Sequence, residues 1–434
     1  MPHILLVSDS GTSSGYGRIA DEVGIRLHRR GYRITAASLG YDGLLPPLQD
    51  GQPLPYWVAS LAGRPWVENV TAIVNAIQPD IVLVAQDAPY IEAIRNASID
   101  WSRYRLIGIT PVDGVPIYPR WVEVMRACDA ALTISAYGQT AYRQAGVNMR
   151  LCRPGVDPNK FFRKTDDERV QLRAKLGLDM THFIVGTVAM NQGRKAISAM
   201  LTAFFRFAAD KPNARYLLDM EAVSPAGWDI PALCQQYGWD ARKLIFRADA
   251  IRAGLTSLAD RYNLMNAHMV VSHREGYGLP LAEAMACGVV SIALDYCSGT
   301  EIVGEGRGIL IPAIDYAEAG TWGGAEDRFP DMAALVKSLN WLYENHDERR
   351  AMAARGMAWA KAQTWDMAAD AVQAAIDEVM RPRVAPPAAP APADPAPPAP
   401  PVIVPGALMF ATGAIFPSGI SLSDISLGDD DEDE

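Results

Sequence analysis

Short runs of Ile, Val and Leu recur through the first half of the chain without polar alternation, at Ile4–Val7, Ile34–Ala37, Ile81–Val84, Leu106–Ile109 and Ala131–Ile134. A strand that is apolar on both faces is one buried on both faces, as in a parallel sheet covered by helices. Segments of helical periodicity lie between the runs, among them Arg18–Arg30 and Val67–Ile77. The second half repeats the scheme at Phe183–Val188, Tyr216–Leu218, Leu244–Phe246, Met269–Val271, Val289–Leu294 and Ile309–Ile311. The pattern predicts an α/β protein of two doubly wound, Rossmann-like domains.

Punctuation sets the boundaries. The stretch Arg153-Pro154-Gly155-Val156-Asp157-Pro158 stops regular structure and suits a hinge, which puts one domain at 1–153 and a second at 154–381. A long helical stretch, Asp347–Met380, closes the second domain and is long enough to return to the first. Residues 382–401 are almost wholly Pro and Ala, an extended, disordered linker by composition. The tail 402–434 ends in six consecutive acids, which repel one another and offer an element for a protein partner.

Composition narrows the class. With 49% hydrophobic and 21% charged residues in 434, the chain reads as globular and water-soluble. The first residues run straight into an apolar strand without the basic, apolar and small-residue regions of a signal peptide. The apolar patch Val402–Phe416 is short and broken by Pro405, so no transmembrane helix is expected. Cys128, Cys152, Cys234, Cys287 and Cys297 are scattered without a C-x-x-C pair, as in a reducing cytoplasm. The six histidines have no metal-ligand spacing, so neither a metal nor another bound cofactor is expected. Net charge is −10, of which residues from 382 onward account for −7, leaving the body nearly neutral. Such a body neither advertises nor excludes a polyanionic partner, because a local basic stripe can coexist with that total; nucleic acid is not the expected partner.

The most informative segment runs from Ser272 to Gly288, SHREGYGLPLAEAMACG, directly after a predicted strand. Gly276 and Gly278 let the backbone turn close to a ligand, Pro280 suits the start of a helix and Gly288 its end. A helix N-terminus aimed at a glycine loop favours phosphate. Glu275 on the loop and Glu283 one turn into the helix are acceptors for sugar and ribose hydroxyls. The plainer alternative, Glu283 as a helix cap and Glu275 as solvated surface, stays open on spacing alone.

The segment closely resembles the E-x7-E motif of the retaining glycosyltransferases of family four, which have GT-B architecture. The resemblance continues through Ala284–Ala293, Gly299–Val303 and Gly308–Pro312, and it includes Ala136–Gln139 to Gly146-Val147 and Arg153–Asp157. About residues 3 to 380 can be laid on the family pattern, the second domain being the more specific part. The resemblance implies two Rossmann-like domains facing each other across a cleft and a nucleotide-sugar donor. Glu275 would contact the donor sugar and Glu283 the ribose, while the backbone of Gly276, Tyr277, Gly278 and Leu279 would meet the diphosphate.

Arg194 and Lys195 follow the strand Phe183–Val188 and are expected to start a helix. Cations there oppose the helix dipole, which points either to a bound anion or to two solvated charges. In the resembled family a cationic pair here stabilises the departing diphosphate. The family often has an Arg nearer Ala189 or Met190, and this chain has none. Ser10–Gly17 is a glycine-rich loop after the first strand, at the phosphate-loop position of a doubly wound sheet, and a plain turn fits it equally. The resemblance makes Gly15 and Gly17 donor-binding candidates. Asp113, in Thr110–Pro116, is the acceptor-side candidate, with a turn cap as its alternative. Many family members carry a histidine in that area, but none occurs here between His28 and His182.

Arg26, Arg29, Arg30 and Arg33 suggest a peripheral membrane or nucleic-acid patch, against the plainer reading of cations at a helix C-terminus. The expected activity is retaining, metal-independent transfer of a sugar from a nucleotide-sugar to an acceptor hydroxyl on a glycan, lipid, protein or small molecule. DNA as acceptor is the weakest variant. A GT-B nucleotide-sugar epimerase and a non-catalytic nucleotide-sugar-binding protein are the alternatives.

Overall fold

The computed structural model describes residues 1–49, 51–63, 65–319 and 325–381. The Pro/Ala segment 382–401 and the tail 402–434, with its expected partner-binding acids, lie outside the described residues.

The first half supplies β1 (His3–Ser8), β2 (Arg33–Ser38), β3 (Leu48–Gln49), β4 (Gln52–Pro53), β5 (Trp57–Ser60), β6 (Ile81–Ala85), β7 (Arg105–Thr110), β8 (Ala130–Thr133) and β9 (Arg150–Leu151). Apart from the small β3–β4 hairpin they form one parallel sheet in the order β5-β2-β1-β6-β7-β8-β9. The second half supplies β10 (Phe183–Val188), β11 (Ala214–Asp219), β12 (Leu244–Phe246), β13 (Ala267–Val270), β14 (Val290–Leu294) and β15 (Ile309–Ile311). These form a parallel sheet in the order β12-β11-β10-β13-β14-β15. Every apolar run singled out in the sequence falls on one of these strands, and β1, β6, β13 and β14 are buried along their whole length.

Three parts depart from the expected layout. A hairpin, β16 (Ala313–Ala319) with β17 (Glu326–Pro330), follows β15. Its acid-rich strands carry no apolar run, because it is held by docking rather than by burial within a sheet. The first long helix begins at Gly15 rather than Arg18, since the Ser14 hydroxyl accepts the Gly17 N–H at 2.9 Å and caps the turn. The expected single helical stretch at the end is two helices, His346–Ala362 and Trp365–Val379, with Thr364 capping the second.

At that break the chain meets the segment Arg153–Pro158 that joins its two halves. The Val156 N–H donates to the Gln363 carbonyl at 2.8 Å. A Cβ on Gly155 would lie 2.2 Å from the Trp365 nitrogen, so only glycine fits there. The helix Trp365–Val379 then packs on helix Gly15–Arg29 and on β7, β8 and β9 of the first sheet. Its acids take up part of the basic cluster: Arg26 Nε lies 3.2 Å from Asp366, and Arg30 Nη2 lies 2.7 Å from Asp370. Arg26 and Arg30 are thus paired with acids of a neighbouring helix.

Candidate active site

In each sheet the connections run outward from a central strand in both directions, reversing between β1 and β6 in the first and between β10 and β13 in the second. Loops at the carboxyl ends of such strands diverge and leave a crevice where ligands bind. The second switch point carries Arg194 and Lys195 after β10, and Glu275 to Gly278 after β13. The first carries Asp9 to Ser14 after β1, and Gln86 and Asp87 after β6.

Lys195 and Glu275 meet across the second switch point, with Nζ and Oε2 2.5 Å apart, and the Ser272 hydroxyl donates to the same oxygen at 3.2 Å. Burial works against the Glu275 charge, but Lys195 and Arg194 outweigh it and hold the carboxyl below its ordinary value. The two cations do not begin the helix as expected. They lie on a 3₁₀ turn, Gly193–Lys195, separated from helix Ile197–Phe207 by Ala196 in the left-handed region at φ 53°. The offset that the sequence argument sought from a bound anion is supplied to Lys195 by Glu275. Arg194 Nη1 donates to the Arg274 carbonyl at 3.0 Å, and the His273 N–H donates to the Arg194 carbonyl at 2.9 Å.

Gly278 turns the chain at φ 92° into helix Leu279–Ala286. Glu283 is buried on that helix, where Oε2 accepts the Tyr262 hydroxyl at 3.0 Å and Oε1 pairs with Arg18 of the first long helix. Gly276 is needed for close approach, since a Cβ there would stand 2.7 Å from the Pro111 side chain. The Tyr277 side chain is buried and donates to the Pro154 carbonyl at 2.9 Å, so it braces the segment joining the two halves and leaves only its backbone for a ligand. Leu279 opens the helix, half-buried.

On the opposite wall, a Cβ on Gly17 would lie 2.6 Å from Thr12 Oγ1, whereas one on Gly15 would meet nothing within 4 Å. Gly17 thus serves the packing of its own turn, while Gly15 leaves its surroundings open. Asp113 is 41% exposed and lies 3.8 Å from Arg274 Nη1, whose Nε is 2.5 Å from Asp327 of the hairpin. The Tyr16 hydroxyl donates to Asp87 Oδ1 at 2.5 Å. Burial raises the Asp87 carboxyl, Tyr16 opposes this, Asp113 adds to it, Arg194 opposes it and Asp9 adds to it.

Arg18, Tyr16, Asp87, Tyr262 and Arg274 also stand among these loops, beyond the residues expected from the sequence. Asp87 stands two residues beyond a strand end, so the switch-point rule had it within reach. Arg18 and Arg274 gave no such signal, because their partners lie far away in sequence. Among the described residues, no group of three or more His, Cys, Asp and Glu side chains is placed to hold a metal ion. Among them, too, no helix is long and apolar enough to cross a membrane.

Residues 255–359 match the profile of the glycosyl transferases group 1 family. The chain is similar to the D-inositol 3-phosphate glycosyltransferase of Geodermatophilus obscurus, at 30% identity over 38% of this chain and 37% of that protein. It is similar to the enzyme of the same name from Stackebrandtia nassauensis at 28% identity, over 57% of this chain and 52% of that one. The chain therefore spans about half or less of the length of these curated relatives. Anabaena HepE, solved in complex with UDP and glucose, superposes with a TM-score of 0.69 at 18% identity, over 87% of this chain and 100% of that chain.

Proposed function

We propose that this chain, which has the GT-B fold and matches the glycosyl transferases group 1 profile over residues 255–359, carries out retaining transfer of a sugar from a nucleotide-sugar to an acceptor hydroxyl. The observation that carries the proposal is the Lys195–Glu275 pair at the second switch point, with Glu283 on the helix that follows. Glu275 orients the donor sugar and Glu283 accepts the ribose hydroxyls. The amides of Gly276 to Leu279 and the start of their helix receive the diphosphate, as helix N-termini do for anions.

As the bond to the sugar breaks, negative charge builds on the diphosphate. Lys195 and Arg194 stand beside it in a crevice where their charge is little screened, which lowers the barrier. The acceptor hydroxyl attacks from the face the diphosphate leaves, so catalysis consists of placing two substrates and stabilising one leaving group. No protein nucleophile, metal or other cofactor enters this reading. Asp113 and Gly15 would face the acceptor and the donor from the first domain. Arg18 occupies Glu283 in the present arrangement, so nucleotide binding exchanges or shares that contact. A cytoplasmic location is part of the proposal and draws support from the five cysteines, all present as free thiols.

The test is a thermal-shift series with UDP-, GDP-, ADP- and dTDP-sugars, with and without chelator, on the wild type and Glu283→Ala. One donor series should raise the melting temperature of the wild type but not of the variant, and chelator should leave the shift intact. A shift that needs a metal, or that survives in Glu283→Ala, contradicts the proposal. Release of free nucleotide with sugar transfer separates it from epimerisation and from binding without turnover.

A further inference from the structure

The hairpin β16–β17 is built into the wall of the candidate cleft. The Arg328 N–H donates to the His273 carbonyl at 3.2 Å, and the His273 N–H reaches the Arg194 carbonyl at 2.9 Å, so β17 lies one residue away from the cationic turn. On its other side the Glu326 N–H donates to the Val115 carbonyl at 3.0 Å, and the Tyr296 hydroxyl donates to the Glu326 carbonyl at 3.1 Å. Asp327 pairs with Arg274, which in turn faces Asp113. The hairpin is thus fastened both to the loop bearing Glu275 and to the first-domain loop bearing Asp113.

Three rings stand in series on this hairpin and the adjoining loop. The centroids of His273 and Phe329 are 4.4 Å apart, and those of Phe329 and Tyr316 are 5.4 Å apart. The outermost ring, Tyr316, is 51% exposed, and its hydroxyl donates to Glu318 Oε1 at 2.5 Å. Rings that served only to fill a core would be covered. Here His273 and Phe329 are half-buried, and Tyr316 is exposed beside a carboxylate. An exposed ring with a polar partner next to it is the pairing that binds a ligand with one apolar and one hydroxylated side.

We propose that Tyr316, Phe329 and His273 form a subsite for a carbohydrate acceptor, with the C–H face of a pyranose ring stacked on Tyr316 and its hydroxyls directed to Glu318. The proposal deepens the glycosyltransferase reading and rests on it for the word acceptor. It places the transferred sugar on a glycan rather than on an apolar lipid or a small unglycosylated molecule.

The experiment compares the full chain with Tyr316→Ala and Tyr316→Phe on an array of immobilised mono- to tetrasaccharides, alongside the nucleotide thermal shift of each protein. The wild type should retain a set of glycans, Tyr316→Ala should lose their signal by about tenfold, and Tyr316→Phe, which keeps the ring, should retain most of it. The nucleotide shift should be the same in all three. Equal glycan retention by Tyr316→Ala overturns the subsite, and so does a wild type that binds nucleotide but no glycan. Glycan binding and nucleotide binding are read separately, so a missing nucleotide shift counts against the donor reading while the array still decides the subsite.

Discussion

Glu301 holds Arg153 through one carboxylate oxygen, with Nε at 2.9 Å and Nη2 at 2.6 Å. Its other oxygen accepts the N–H groups of Ala136 and Tyr137 at 2.7 and 3.2 Å. Those N–H groups begin helix Ala136–Gln144, where the helix dipole favours a negative charge. One side chain of the second half therefore clasps both Arg153, in the segment joining the halves, and a helix of the first half.

Glu301→Ala should destabilise the protein by about 2–4 kcal/mol, because it leaves a half-buried guanidinium and two helix N–H groups without their acceptor. Glu301→Gln, which keeps one acceptor, should cost less. Differential scanning fluorimetry compares the two, and a melting temperature unchanged in Glu301→Ala would show that the clasp adds nothing to stability.

Lys195 and Glu275 neutralise one another, so each single variant leaves a poorly solvated charge. Lys195→Met should lower turnover by roughly 10²–10³-fold, the usual range for losing a preorganised stabiliser of developing charge. It should also lower the melting temperature. In the double variant Lys195→Met/Glu275→Gln stability should return toward the wild-type value while turnover does not. If turnover returned with stability, the pair would be a structural device only.

His268 is fully buried on β13, and burial pushes its pKa down to about 3. The unfolded chain takes up a proton near pH 6.5 and the folded one does not, so this histidine adds stability that is whole above pH 6.5 and lost as pH falls toward 3. The stability difference between wild type and His268→Asn should therefore shrink by about 1.4 kcal/mol per pH unit across that window. Urea titrations at several pH values measure it, and a pH-independent difference would mean that His268 does not carry this linkage. Asp21, raised to about 6 by burial, acts in the opposite direction, losing stability as pH rises from near 4 to 6.

Gly276→Ala places a Cβ 2.7 Å from Pro111, well inside van der Waals contact between two loops that face each other across the cleft. The loops must separate, so kcat/KM should fall at least tenfold, on the order of the 1–3 kcal/mol that overpacking costs. Circular dichroism should show an unchanged fold. Full activity in this variant would mean that the loops need not approach so closely during turnover.

The local content of the chain was legible in its sequence for one physical reason: strands buried on both faces must be apolar at consecutive positions, and loops that turn sharply must contain glycine. Those rules located the central strands of both sheets and the loop and helix that carry Glu275 and Glu283. They missed the edge strand β5, whose Trp57 is 61% exposed, and the hairpin β16–β17, because neither needs a continuous apolar run. They also merged the last two helices, since helical periodicity does not reveal where a Thr cap will end one helix and begin the next.

What only the tertiary structure decided was the pairing of charges. Lys195 and Glu275 are 80 positions apart, and Arg18 and Glu283 are 265 apart. Nothing in the neighbourhood of either residue names its partner, because the contact follows from strand order: the reversal between β10 and β13 brings one pair of loops together, and the facing of the two sheets brings Arg18 to Glu283. The sequence by itself determined which residues stand at strand ends, since burial is written locally. Folding decided which of them meet, because sheet order is a property of the whole chain.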